Sequence, residues 1–179
     1  MTDELDRLAA EAVILSSTDA LTGLGNRPFL EDHIRLLASD DVTLGALMID
    51  IDHFKLVNDI EGHAVGDVVL AEIARRLAGQ LTGPAVVGRY GGEEFLVLVP
   101  EVDAIGAAML GERLRGAVAT TAVSLALGRS RPVTVSVGCA VGEAGSLVQT
   151  IQRAEIALGA AKAGGRNRVE VAHTLPLDA

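Results

Sequence analysis

Apolar and polar positions recur in short blocks along the chain, and the period of each block predicts an element. From residue 2 to about residue 15, Leu5, Leu8, Ala12 and Leu15 fall three or four apart, the spacing of an amphipathic helix ahead of the compact part and suited to the end of a coiled-coil stalk. "SSTDALTGLGNR" is dense in Gly and turn formers and reads as a loop. Pro28 then fits the first turn of a helix running to about Ala38, where its missing N–H is not needed. "VTLGALMIDI", from Val42, is a buried strand that ends on a carboxylate. In "GHAVGDVVLAEIARRLAGQL", Val65, Val69, Ile73 and Leu77 recur every fourth residue and form a helical face.

"AVVGRY" and "FLVLV" flank a Gly-Gly pair as the two strands of a hairpin, since Gly-Gly accepts the positive φ angles of a tight turn. Asp103 is placed to cap a helix through about Ala119. In "VSLALGRSRPVTVSVGCAVG", Val133, Val135 and Val137 alternate with Thr134 and Ser136 and predict a second hairpin. A last helix spans about Ser146 to Ala163, and "NRVEVA" is a short closing strand. The order β-α-β-β-α-β, with additions, predicts an α+β fold: a mainly antiparallel sheet flanked by helices, a split βαβ sandwich of the ferredoxin-like kind.

Composition narrows the chemistry. A chain of 179 residues is most simply one domain with short tails. No apolar run approaches the ~18 residues that span a bilayer, and "MTDELDRLAA" is too charged for a signal peptide, so a cytoplasmic protein without membrane insertion is expected. Cys139 is the single cysteine, which excludes an internal disulfide and an all-cysteine metal site and leaves oxygen or histidine ligands for any metal. With 24 acids against 15 bases the net charge is -9, which argues against nucleic acid as a partner. A small phosphorylated ligand would need a divalent cation or a few locally placed bases.

Four clusters carry candidate chemistry, and each also has a plainer structural reading. Asp50 and Asp52 in "MIDIDHFK" lie two apart, so on a continuing strand they share one face with Ile51 turned to the other; alternatively they cap the next helix. Glu93 and Glu94 follow Gly91 and Gly92 at a hairpin tip that, alone, reads as a solvated turn. If the hairpin neighbours the strand ending at Asp50, two or three carboxylates converge, which is what a Mg²⁺ bound to phosphates requires. Asn58 and Asp67 bracket a loop containing Gly62, His63 and Gly66; the carboxylate can accept from guanine's N1–H and N2 amine and the amide can donate to its acceptors, or the two are a turn residue and a first-turn acid. His63 beside Gly62 reads most simply as a turn residue. Lys162, Arg166 and Arg168 in "AAKAGGRNR" either complement a helix dipole or form a triphosphate clamp, with Gly164 and Gly165 letting the backbone turn to aim Arg166.

Taken in order, "DALTGLGNR", "DIDHFKLVND" with "GHAVGD", "RYGGEEF", "SVGCA" and "AKAGGRNR" make residues 19–168 resemble the GGDEF domain of diguanylate cyclases. The resemblance implies a palm-like nucleotidyl-cyclase sandwich that condenses two GTP into cyclic di-GMP with release of two pyrophosphates. It divides the chain into an N-terminal helix and linker (1–18), a catalytic domain (19–172) and a C-terminal tail (173–179). Carried over by position, Asp50, the Ile51 carbonyl and Glu93 would hold Mg²⁺, with Mn²⁺ able to substitute. Glu93 would also accept the proton of the attacking 3′-hydroxyl, with Glu94 assisting and Lys55 stabilising phosphate charge. Asn58 and Asp67 would read guanine, His63 would lie near the substrate, Phe54 would shape the site and Leu70 would line the base pocket. Lys162 and Arg166 would bind the β and γ phosphates, and Gly91 and Gly92 would let the backbone approach them. One domain holds one GTP, so a homodimer is implied, with an upstream sensor or regulatory partner acting through the N-terminal helix.

Three features depart from the family pattern. Thr82 and Ala85 replace the Arg and Asp of the inhibitory product site, so no feedback is expected by that route. "AEIALG" carries Glu155 and Gly159 where Asp and Tyr are usual, and a mid-helix Gly costs about 1 kcal/mol against Ala, which predicts a looser clamp helix. Within these 179 residues no long sensor stands ahead of the domain, which leaves the input signal open, whether the chain is a fragment or a stand-alone domain. The alternative to an active cyclase is a weak or inactive GTP-binding regulatory module.

Overall fold

The computed structural model describes residues 17–37 and 42–172. The N-terminal helix expected up to Leu15 and the tail from residue 173 lie outside them. At the centre is β1 (Thr43–Ile51), buried along all but its first residue. Its side chains serve two cores by strict alternation. Leu47, Ile49 and Ile51 join one cluster, while Leu44, Ala46 and Met48 join the other. This is why the run reads as continuously apolar rather than alternating.

Two helices follow β1, α2 (Phe54–Glu61) and α3 (His63–Ala78), and one precedes it, α1 (Arg27–Leu37). The chain continues through β2 (Val86–Arg89), β3 (Glu94–Pro100), α4 (Ala104–Ala119), β4 (Val123–Ser124), β5 (Ser130–Arg131), β6 (Val135–Glu143), α5 (Leu147–Ala163) and β7 (Val169–Val171). The main sheet runs β2-β3-β1-β6-β7. β1 is antiparallel to both β3 and β6, and only β7 is parallel to its neighbour β6. Residues of α2, α3 and α4 pack on the Leu47 face, and those of α1 and α5 on the Met48 face. The expected α+β architecture holds, with helices on both faces of the sheet. Among the described residues no helix is long and apolar enough to cross a membrane.

Local chemistry explains several boundaries. Asp103 Oδ1 accepts from the Gly106 N–H at 2.7 Å and starts α4. In "SVGCA", Gly138 lies against α5 so closely that a Cβ would sit 2.1 Å from the Ala154 carbonyl oxygen and the Leu158 nitrogen. Glycine there is what lets the helix lie directly on β6.

Three expectations need correction. Residues 123–131 form a separate two-stranded ribbon of β4 and β5, while β6 joins the main sheet beside β1, where Val135, Val137 and Cys139 are buried in the core of Leu47. The break between α2 and α3 is the single residue Gly62, so Asp67 stands in the first turns of α3 rather than across a long loop. Gly91 and Gly92 do not adopt positive φ. The connection covers four residues, Tyr90 to Glu93, and closes through the Tyr90 and Gly91 N–H groups donating to the Glu94 carbonyl at 2.8 and 3.2 Å. A loop of that length does not need the mirror-image turn of a two-residue hairpin.

Candidate active site

Alternation along β1 carries Asp50 and Asp52 onto the α5 side once the apolar residues end, with Ile51 packed in the opposite core. Both carboxylates are buried, at 5% and 6% exposure. Asp50 receives Lys162 Nζ from the last turn of α5 at 2.7 Å. Burial nevertheless raises its pKa, Lys162 opposing and the nearby Asp52 adding to the rise. Asp52 has the opposite surroundings. Its oxygens accept from Thr134 Oγ1 and Ser136 Oγ, both at 2.6 Å, and from the Asn167 N–H at 3.0 Å. Neither acid caps α2, whose N-cap residue is His53.

β1 and β3 pair in a register that sets Asp50 opposite Glu94, and the Ile51 N–H donates to the Glu93 carbonyl at 3.3 Å. The turn therefore lies against the end of β1, as the clustering of acids requires. Burial raises the Glu93 pKa, with the charges of Asp50 and then Glu94 adding to it and Lys162 opposing. A Cβ on Gly92 would meet nothing within 4 Å, and one on Gly91 would meet only Glu94, nearest at Oε2, 2.6 Å away. The pair leaves an open approach to the turn.

Arg89 fixes the turn from below. Its Nε and Nη2 donate to the Gly92 carbonyl at 3.1 and 2.7 Å, and its Nη1 donates to both Asp19 oxygens at 3.2 and 3.0 Å. Asp19 also accepts from the Thr22 N–H and Oγ1 at 2.9 and 2.7 Å. Burial alone would raise the Asp19 pKa, but these donors and the Arg89 charge hold it below the usual carboxylate value. "DALTGLGNR" and "RYGGEEF" are thus one hydrogen-bonded unit.

On the other side of the end of β1, α2 and α3 fold back on each other around Gly66. A Cβ at Gly66 would lie 1.9 Å from Asn58 Oδ1 and 3.2 Å from the Phe54 ring. Asn58 Oδ1 is buried and has no hydrogen-bond partner among the described residues. A buried acceptor without a donor is destabilising unless a ligand supplies one. The unpartnered atom is the acceptor, which can take a hydrogen bond from a ligand donor. Asp67, His63 and Lys55 are exposed, whereas Phe54 and Leu70 are buried in the core beneath.

α5 ends at Ala163, and Gly165, Arg166 and Asn167 follow with φ of 115°, 63° and 45°. Arg166 is exposed and close enough for its charge to lower the Asp50 pKa. The helix runs unbroken through Gly159, which lies on its exposed side, so the missing aromatic leaves no gap in the core.

Asp50 and Glu93 are hard oxygen donors whose pKa values are raised first by burial and then by neighbouring acids, so their ionised forms are undercompensated, and with the Ile51 carbonyl between them in the chain they offer ligand chemistry that fits a divalent cation. Among the described residues no group of three or more His, Cys, Asp or Glu side chains is arranged to hold a metal. Phosphate and water oxygens would have to complete the shell. Residues that the motif chemistry overlooked are Arg89 and Asp19, which hold the turn, and Gly66, which shapes the Asn58 pocket; Asp52 stands out in the sequence, but its partners Thr134, Ser136 and Asn167 do not. The signal for Arg89 and Asp19 is positional, since each stands inside a motif block; Gly66 is close in sequence to Asn58 but only the helix crossing brings them together, and the partners of Asp52 are remote in sequence.

A family model described as "Diguanylate cyclase, GGDEF domain" matches residues 16–168. The response regulator PleD of Caulobacter vibrioides is 39% identical over 176 residues, covering 94% of this chain and 38% of PleD. The chain therefore spans well under half the length of that relative. The coiled coil and GGDEF domain of DgcB from Caulobacter crescentus, solved in complex with c-di-GMP, superposes with a TM-score of 0.88 at 34% identity, covering 96% of this chain and 95% of that one. Diguanylate cyclase SiaD of Pseudomonas aeruginosa, solved with its activator SiaC, gives 0.82 at 36% identity, covering 96% and 69%.

Proposed function

The chain belongs to the diguanylate cyclase GGDEF-domain family, and from that premise we propose that it condenses two GTP into cyclic di-GMP. Two copies would face each other in the cytoplasm, each presenting one GTP. The 3′-hydroxyl oxygen of one GTP bonds to the α-phosphorus of the other, the bond to the pyrophosphate breaks, and the hydroxyl proton passes to Glu93; the second, reciprocal step closes the ring. The observation that carries this reading is the buried Asp50 beside Glu93, two acids near enough to raise each other's charge cost, with Lys162 on Asp50 as the one ion pair that either acid makes among the described residues.

Each residue then has a task its surroundings support. Asn58 Oδ1 accepts from guanine's N2 amine, and Asp67 from N1–H and N2, donors that adenine lacks. Phe54 and Leu70 form the apolar floor, and His63 borders the base. Lys162 and Arg166 bind the β and γ phosphates as charge-assisted donors. Lys55, exposed on α2, meets phosphate charge in the transition state, and Glu94 assists Glu93. A raised pKa brings the Glu93 carboxylate nearer neutrality, which suits a proton acceptor. Mg²⁺, or Mn²⁺ in its place, would be held by Asp50, Glu93 and the Ile51 carbonyl, and would neutralise phosphate charge and acidify the hydroxyl.

Residues 19–172 form the catalytic domain in this reading, and residues 1–18 are the link through which an upstream partner sets dimer geometry. Thr82 and Ala85 leave no product-feedback site at that position. The test is product formation from GTP and Mg²⁺ over a range of protein concentrations, with Asp50→Ala and Glu93→Ala alongside. Cyclic di-GMP from the wild type and its loss in folded variants is expected. GTP affinity without turnover, even in a form held as a dimer, would instead establish a regulatory module.

A further inference from the structure

Asp52 lies two residues beyond Asp50, equally buried, yet the reaction above gives it no task. We propose that Asp52 is the positioning residue of the phosphate clamp, an inference that rests on the cyclase reading's assignment of Arg166 to the triphosphate. The clamp loop is locally unfavourable. Gly165, Arg166 and Asn167 all have positive φ, which glycine and asparagine tolerate and the arginine side chain disfavours. Such a run persists only where its surroundings dictate it.

Asp52 supplies the constraint from inside the protein. Its Oδ2 accepts the Asn167 N–H at 3.0 Å, directly after Arg166, fixing the backbone from which the guanidinium extends. The carboxylate cannot swing away, because Thr134 Oγ1 holds Oδ2 and Ser136 Oγ holds Oδ1. The Asp52 N–H is itself bound to the Thr134 carbonyl at 2.9 Å. One side chain thereby ties the end of β1, which carries Asp50, to the start of β6 and to the loop that carries Arg166. On the outer side Arg115 Nη1 donates to Asn167 Oδ1 at 2.7 Å, from an exposed position where the bond contributes less. Metal acids and phosphate-binding base are thus kept in register by an acid that touches neither.

Asp52→Asn tests this, since the amide keeps the volume but cannot accept from all three donors. In the full chain, KM for GTP should rise about tenfold, the size of one charge-assisted hydrogen bond, while kcat changes less than about threefold. Affinity for GMP, which lacks the β and γ phosphates, should stay as in the wild type. Arg166→Ala should raise KM similarly, and the Asp52→Asn/Arg166→Ala double variant should be no worse than Arg166→Ala alone. Should Asp52→Asn fail to fold, Thr134→Val/Ser136→Ala frees the carboxylate and should show the same selective loss. A lowered melting temperature with KM unchanged, or KM effects that multiply in the double variant, would overturn the proposal. If the wild type makes no cyclic di-GMP, the cyclase reading fails, and GTP affinity by titration calorimetry still reads the coupling of Asp52 to Arg166. Absence of any Arg166→Ala effect on that affinity would overturn the clamp and this proposal with it.

Discussion

Acids are treated in opposite ways in two regions of the molecule. Where α3 meets α4, Glu72 accepts from Arg75 Nε and Nη2 and from Arg76 Nε, all at 2.8 Å, and its pKa falls to about 2, chiefly through the Arg75 and Arg76 hydrogen bonds. Arg76 goes on to donate to the carbonyls of Val118, Thr121 and Ala122, stapling α3 to the chain that leaves α4. At the end of β1, Asp50 has Lys162 as its direct cation and Glu93 leans on the same charge, and both pKa values are raised, first by burial. Saturated acids finish a structure; undercompensated ones leave a demand for positive charge that a substrate-bound cation can meet.

The largest expected effect sharpens that contrast. Asp50→Ala should lower cyclic di-GMP formation by more than about a thousandfold, the scale of losing a transition-state electrostatic group. Glu72→Ala in the same assay should leave the rate within about twofold. Comparable losses in both would abolish the distinction between the two regions.

Stability should respond in the reverse order. Arg76→Ala leaves Glu72 paired with Arg75 but takes the donor from three carbonyls at the helix seam, and should cost about 3 kcal/mol in denaturant unfolding, roughly 1 kcal/mol for each lost bond. Lys162→Ala, whose side chain is 34% exposed, should cost under about 1 kcal/mol in the same measurement. An equal loss for both would mean that the Lys162 pair is structural after all.

How much of this can be read from the chain differs by link. An apolar run that stops on acids has few uses, so the end of β1 and its partnership with the Gly-Gly turn are legible. Helical faces and the Asp103 cap are equally so, because their signals are local. Asp52 is not, since Thr134 and Asn167 lie 82 and 115 residues away and no spacing rule connects them. The second hairpin fails for a related reason: alternation in Val133, Val135 and Val137 identifies a strand but not its partner, and the partner is β1. Gly66 reads as a loop residue in the chain; only the helix crossing reveals that it makes room for Asn58.

Gly66→Ala is therefore the next test. Its Cβ would meet Asn58 Oδ1 at 1.9 Å and push the amide out of place. KM for GTP should rise about tenfold, the value of one misaligned polar contact, with metal dependence unchanged. A shift in the Mg²⁺ requirement would show that the α2–α3 pocket and the acids at β1 are not separable.

The smallest effect is the most direct reading of the two electrostatic regimes. Glu72 is held below its ordinary value of 4.5, at about 2, so the fold favours its ionised form. Its contribution is complete above that ordinary value and disappears as pH falls toward the lower one. Glu93 is held above 4.5, so the fold favours its protonated form, and that contribution is present at low pH and lost as pH rises through the raised value. Relative to wild type, Glu72→Gln should thus lose up to ~1 kcal/mol at pH 7, after solvent screening, with the deficit starting to shrink below its ordinary value of 4.5 and vanishing toward about 2. Glu93→Gln, measured without metal, should instead gain stability at pH 7 and lose that advantage toward about pH 4, while making no cyclic di-GMP. Opposite slopes in thermal unfolding against pH would establish that the turn sustains an acid the fold alone would rather neutralise. Parallel slopes would mean that Lys162 already satisfies the turn, and the argument for a cation at Asp50 and Glu93 would lose its electrostatic ground.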